Sequence, residues 1–354
     1  MHLQSGRPEL RHQGPRCYHP PMKFAVVGAG GIGGYLGARL ALAGESVTFI
    51  ARGPNLQALR DRGVRLIEED GAEHHVASVK AFQHMGEAGA QDVVLLALKA
   101  HQVAAVAPQL SALLGPDTTI VTLQNGIPWW YFHGLEGPLQ GTRLESVDPG
   151  GVIASHIDNA RIIGSVVYPA SELIAPGVIK VIEGNRFSLG EPDGSKSERV
   201  QAISQALAKA GFKAPVSSDL RSEIWLKLWG NLTFNPVSAL THATLAQICR
   251  HPHTRALALG MMGEAQQVAE KLGVRFRISL ERRLAGAEAV GEHKTSMLQD
   301  VEQGRPLELD ALLGSVIELA KLTDTPVPRC EAIYACCALL AERLATQHAR
   351  LSLG

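Results

Sequence analysis

Phe24-Ala25-Val26-Val27-Gly28-Ala29-Gly30-Gly31-Ile32-Gly33 decides the fold of this chain. Four apolar residues suited to a strand run straight into a glycine-rich turn, and a helical pattern follows over residues 31–43. Gly28 suits the tight turn, Gly30 lets backbone approach a pyrophosphate, and Gly33 lets the helix pack close on the strand. A helix N-terminus at such a turn offers unpaired N–H groups and the positive end of its dipole to phosphate. The spacing alone also serves plain packing. A strand before it, a helix after it and a second strand about 20 residues on make it a dinucleotide site, with Ala29, Gly31 and Ile32 completing the turn.

Outward from this turn, short apolar runs alternate with helical patterns up to about residue 218, the mark of a parallel sheet. Strands are expected over 24–27, 46–51, 92–98 and 118–123, and helices over 31–43, 56–62 and 102–114. Runs 64–69 and 76–81 flank Asp70-Gly71 and read as an inserted hairpin. Further β-runs are expected over 151–156, 161–167, 177–182 and 186–189, then a helix over 197–210 and a strand over 212–216. After Ser217-Ser218-Asp219, suited to capping a helix, β-character stops. Residues 219–250, 253–272, 279–291, 294–303, 307–322 and 328–346 all read as helix. The expected architecture is an α/β Rossmann-type domain over 22–218, mostly parallel with added antiparallel strands, and an all-α substrate domain over 219–346. Residues 1–21 read as a disordered extension and 347–354 as a tail.

The second strand ends Phe49-Ile50-Ala51-Arg52-Gly53, where a site for NAD would place a carboxylate for the ribose 2′-hydroxyl. None is there, and the planar fork of Arg52 suits a 2′-phosphate, which favours NADPH/NADP+ over NAD. A solvated surface arginine is the plainer alternative. Two later strand ends, Leu98-Lys99-Ala100-His101 and Leu123-Gln124-Asn125-Gly126, point the same way as the glycine turn. Open α/β sheets bind ligands there, so Lys99 could meet cofactor phosphate or ribose, and Asn125 the nicotinamide ribose or the substrate.

In the helical part, Lys227, Asn231 and Asn235 fall on one narrow stripe at about 100° per residue, beside Ile224, Leu228 and Phe234. Trp225, Leu226 and Trp229 occupy the other side, so the helix reads as buried all round. An ammonium and two amides in line there would be costly without partners, which implies a slot filled by a polar ligand. The competing reading lets the Lys227 stem snorkel to solvent. Asn235 precedes Pro236, where the helix is expected to end or kink. Downstream, Pro306 fits a first helical position and puts Glu308 in a first turn, where favouring the helix dipole would be reason enough for it. Ser296 could be only a cap.

Composition narrows the function. The 354 residues carry 34 Lys plus Arg and 34 Asp plus Glu, and aromatic residues make up 5%. That leaves no global field for nucleic acid or an acidic membrane, and little base-stacking surface. No apolar run reaches the roughly 18 residues of a membrane span. The five cysteines show neither zinc-ligand spacing nor a CxxC pair, so no metal is expected; buried reduced thiols in a cytoplasmic protein fit them best.

Taken together, these residues resemble the ketopantoate reductase (2-dehydropantoate 2-reductase) family from Met22 to about Leu344. The resemblance rests on the glycine turn with Arg52, on Leu98-Lys99-Ala100 and on Gln124-Asn125-Gly126. It rests also on Lys227…Asn231…Asn235-Pro236 and on Ser296-Met297-Leu298-Gln299-Asp300…Glu308-Leu309-Asp310. It implies NADPH at the domain interface and reduction of the C2 carbonyl of a small-molecule 2-keto acid. Lys227 matches the family's general acid and Glu308 the carboxylate holding the substrate hydroxyl. Ser296, Asn231 and Asn235 match groups orienting the substrate carboxylate and hydroxyl, Asn125 one near nicotinamide and substrate, and Arg52 and Lys99 contacts of the NADPH phosphate and ribose. Two features depart from the family pattern: His293 before Ser296, and the aromatic stretch 127–143 with Trp129-Trp130-Tyr131-Phe132. That stretch reads either as a loop anchored by aromatics or as a lid reshaping the pocket for a bulkier 2-keto acid, the second reading of function. A non-catalytic NADP-binding sensor is a third. The assembly is left open, and a homodimer is compatible with the sequence.

Overall fold

The computed structural model describes residues 21–347 and 349–352. The expected extension 1–21 lies, except for Pro21, outside the described residues, as do His348 and the last two residues of the tail. β1 (Lys23–Val27) leads through the glycine turn into α1 (Gly31–Leu42). Gly28 turns the chain at φ +101°, where a side chain would be strained. A Cβ on Gly33 would overlap the Gly28 carbonyl, so α1 reaches its seat on the sheet only with glycine there.

In chain order there follow β2 (Ser46–Ile50), α2 (Gly53–Arg62), β3 (Val64–Ile67), β4 (Glu73–Val76), β5 (Lys80–Phe82), β6 (Gln91–Leu96), α3 (Val103–Val106) and β7 (Leu114–Thr122). Then come α4 (Val152–His156), β8 (Ile162–Val167), β9 (Ala170–Ala175), β10 (Val178–Glu183), β11 (Phe187–Gly190) and α5 (Glu198–Lys209). The main sheet has seven strands in the order β11-β8-β7-β6-β1-β2-β5. Its neighbours are parallel except β11 with β8. The chain runs outward from β1 to β2 and β5, then returns to β6 on the other side of β1. The carboxyl ends of β1 and β6 therefore flank the switch point where such sheets bind ligands.

A second sheet, β4-β3-β10-β9, joins the expected hairpin to the expected β-run over 177–182, now β10, and to β9, which is not expected. The turn at Asp70 does form a hairpin, with the Asp70 carboxylate accepting from the Ala72 amide at 2.9 Å. Its second strand stops at Val76, however, and β5 pairs separately with β2. Residues 151–156, expected as a strand, instead carry α4, because the Asp148 carboxylate accepts from the amides of Ile153 (2.6 Å) and Ala154 (3.0 Å). The expected strand 212–216 makes only two isolated bridges, at Lys213 and Val216.

The helical part contains α6 (Leu220–Thr241), α7 (Leu245–Arg250), α8 (Pro252–Lys271), α9 (Leu280–Ala289), α10 (Ser296–Gln303), α11 (Ser315–Leu322) and α12 (Pro328–Gln347). As expected, α6 is buried nearly all round, with Trp225, Trp229 and Leu232 wholly enclosed. It does not end at Pro236 but runs on to Thr241. The stop is His242, in the left-handed conformation at φ 58°, which divides the expected helix 219–250 in two. The expected helix 307–322 begins only at Leu309 and opens with a π-helical stretch, Asp310–Gly314. The Ala311 carbonyl there accepts from the Ile127 amide at 3.0 Å, tying this turn to the loop after β7. Glu308 thus stands in non-helical chain ahead of the helix rather than in its first turn.

One face of the main sheet shares a continuous apolar core with α6 and the following helices; Ile162, Trp130, Trp225 and Met262 belong to it. That shared core fixes the helices against the carboxyl ends of the strands. Among the described residues, no helix is long and apolar enough to cross a membrane.

Candidate active site

A cavity of about 1120 Å³ lies between the carboxyl ends of the parallel strands and helices α6, α9 and α10. Gly28, Gly30, Gly31 and Ile32 line one end of it. A Cβ on Gly30 would meet nothing within 4 Å, so the backbone there stands open to the cavity at the N-terminus of α1. A Cβ on Gly31 would overlap the Ser171 carbonyl of β9, so the second sheet closes tightly over the turn. This is a cradle that bare backbone leaves vacant for a phosphate group, and it fits a dinucleotide.

Lys227 stands at the other end, on the cavity-facing stripe of α6. Its ammonium donates to the Asn125 carboxamide oxygen at 2.5 Å and to the Val167 carbonyl. Two strand ends of the sheet thereby hold a lysine from the helical part. Burial pushes its pKa down to about 8, and the Glu308 charge opposes that shift. An amine so tuned can give up a proton near neutral pH far more readily than a solvated lysine.

Asn231, Asn235, Ser296 and Glu308 line the same cavity. The Asn235 amide lies 3.5 Å from the Ser296 hydroxyl, at the limit of a hydrogen bond. The cap of α10 is Thr295, whose hydroxyl accepts from the Leu298 amide at 3.2 Å, which frees Ser296 to face the cavity. Glu308 makes no ion pair with Lys227 among the described residues; its carboxylate accepts from the Ala100 amide at 3.1 Å. Both nonetheless border the cavity, so a small ligand between them would meet an ammonium on one side and a carboxylate on the other.

Lys99 lines the cavity with its ammonium paired to Asp300 at 2.5 Å, and Arg305 holds the other oxygen of that carboxylate at 2.7 Å. This bridge from the turn after β6 to α10 is not an expectation of the sequence, although Asp300 stands four residues beyond Ser296. His101 also borders the site, and burial lowers its pKa, with Glu308 opposing. Arg52 sits exposed at the N-terminus of α2, just past the end of β2, and is outside the cavity wall. Ala29 and Gly33 support the turn from behind, both buried. Trp129, Trp130, Tyr131 and Phe132 are buried in the core and none lines the cavity. The stretch is an anchored loop, not a lid, and the pocket-reshaping reading loses its basis.

Comparison with known proteins bears on the same residues. The family profile described as "Ketopantoate reductase PanE/ApbA" matches residues 24–194, and its C-terminal companion matches residues 219–341. A 2-dehydropantoate 2-reductase of Mesorhizobium japonicum is 56% identical over 327 residues, 92% of this chain and 98% of that protein. One from Archaeoglobus fulgidus is 29% identical, covering 84% of this chain and 90% of its own length. Among solved structures, a chain from Ralstonia solanacearum superposes with a TM-score of 0.87 at 42% identity, covering 92% of this chain and 99% of that one. The 2-dehydropantoate 2-reductase of Geobacter metallireducens gives 0.79 at 27%, covering 90% and 100%.

Proposed function

This chain belongs to the ketopantoate reductase family, and from that premise we propose that it reduces 2-dehydropantoate to pantoate with NADPH, in the service of pantothenate synthesis. The observation that carries the reading is the Lys227 ammonium, held by Asn125 in a cavity that begins at the glycine turn. The boundary between a cofactor domain and a substrate domain falls, in this proposal, at residues 218 and 219. A cytoplasmic location belongs to it as well, in keeping with the unpaired thiols of Cys249, Cys330, Cys336 and Cys337.

NADPH, when bound, supplies the hydride that adds to the C2 carbonyl carbon of the keto acid. The turn from Gly28 to Gly33 would hold its pyrophosphate, Arg52 its 2′-phosphate, and Lys99 and Asn125 its ribose side. Lys227 hydrogen-bonds the carbonyl oxygen, stabilises the charge that develops there and passes its proton to the resulting alkoxide. Asn125 keeps Nζ aimed at that position, and solvent returns the proton to the amine. Glu308 holds the substrate hydroxyl and keeps Lys227 charged against the effect of burial. Asn231, Asn235 and Ser296 orient the rest of the substrate.

The cofactor assignment has a direct test in Arg52→Ala. Loss of charge-assisted bonds to a phosphate should raise the Kd for NADPH on the order of tenfold or more, with NADH binding unchanged. Equal weakening of the two cofactors, measured by fluorescence titration, would contradict the assignment of Arg52 to the 2′-phosphate.

A further inference from the structure

Two lysines, Lys99 and Lys227, and two carboxylates, Asp300 and Glu308, line the one cavity. The Glu308 carboxylate accepts from the amide of Ala100, one peptide bond beyond Lys99, so it lies within reach of the Lys99 side chain. Lys99, Asp300 and Glu308 all act on the charge of His101, as does Asp310, which gathers them around one imidazole. Yet Lys99 pairs with Asp300 at 2.5 Å and makes no ion pair with Glu308 among the described residues. Glu308 is instead the ionisable group that bears on Lys227, where its charge favours the ammonium. Asp300 is held firmly in its place one turn beyond Ser296. Its side chain is 5% exposed, Arg305 takes the oxygen that Lys99 leaves, and its backbone carbonyl accepts from the Arg305 amide at 2.8 Å.

We propose that Asp300 is a positioning residue that occupies the Lys99 ammonium and so keeps Glu308 free for Lys227 and the substrate hydroxyl. The inference rests on the reductase reading and deepens it. Without the Asp300 charge, Lys99 would draw Glu308 to itself, because opposite charges in a partly buried site attract more strongly than in water. Glu308 would then be lost to both its tasks, leaving the substrate hydroxyl unheld and Lys227 less favoured as the ammonium. Lys99 can still serve the cofactor, since an ammonium carries three donors and Asp300 takes one.

The test follows the alkaline limb of kcat/KM for 2-dehydropantoate at saturating NADPH. Asp300→Asn should lower kcat/KM about 10- to 100-fold and move the limb to lower pH, to where Glu308→Gln alone puts it. Adding Lys99→Met to Asp300→Asn removes the competing cation, leaves no unpaired charge between them, and should return the limb to its wild-type position. In the Glu308→Gln background, Asp300→Asn should leave the limb where it is. A limb unmoved in Asp300→Asn would overturn the proposal. So would a further downward shift in the Glu308→Gln background, because Asp300 would then act on Lys227 by its own charge. Lys99→Met alone keeps Asp300 on Arg305 and does not depend on how well Asp300→Asn folds; its limb should stay in place, and a downward shift would equally overturn the proposal. Wild type that shows no reduction, or no alkaline limb, would instead sink the reading of Lys227 as the acid of a reductase.

Discussion

Lys227→Ala should lower kcat for 2-dehydropantoate reduction by about 10²- to 10⁴-fold while the Kd for NADPH stays within a few-fold of wild type. The separation follows from position. Lys227 stands on α6 with its ammonium on Asn125 and the Val167 carbonyl, whereas the phosphate cradle is built from backbone at the start of α1. Removing the amine takes away both the donor that stabilises charge on the ketone oxygen and the proton that quenches it, and no other lysine lines that end of the cavity. A variant keeping more than a tenth of wild-type kcat in single-turnover measurements would place the acid elsewhere.

Trp130→Ala should produce the largest loss of stability, about 3–5 kcal/mol. Its ring is 2% exposed and fills the space beside Gly164, where a Cβ would meet the indole carbons at about 2.5 Å. Its Nε1 donates to the Thr122 hydroxyl on β7 at 3.1 Å, so truncation leaves a cavity and an unpaired buried hydroxyl. The urea midpoint should fall accordingly, while the folded fraction keeps its KM for substrate within about twofold. An altered KM with an unchanged midpoint would restore the aromatic stretch to the pocket.

These two residues also mark what the sequence could disclose. The glycine turn and the stripe Lys227, Asn231, Asn235 were readable because each is a local periodicity, complete within one or two elements. The aromatic stretch was not, since whether Trp130 faces a pocket or a core depends on β7, β8 and α6 meeting around it. The assembly of the second sheet was not readable for the same reason: β3 pairs with β10 across more than a hundred residues, and neither strand announces the other. Pro236 misled because burial on all sides holds α6 together through the one missing amide. Glu308 was recognised by its motif, but its place ahead of the helix depends on the Ala100 amide it accepts from, on the far side of the cavity.

The pH dependence of kcat/KM for 2-dehydropantoate reduction tests most directly the account of a buried ammonium as proton donor. Lys227 must be protonated to act, and its pKa is pushed down to about 8, so the rate should be level at lower pH and fall about tenfold per unit above that value. Pantoate oxidation, which needs the neutral amine, should rise through the same range, and Glu308→Gln should move the limb to lower pH by removing the charge that favours the ammonium. A reduction profile that stays flat to pH 10 in wild type, or an alkaline limb that survives unchanged in Lys227→Ala, would contradict the account.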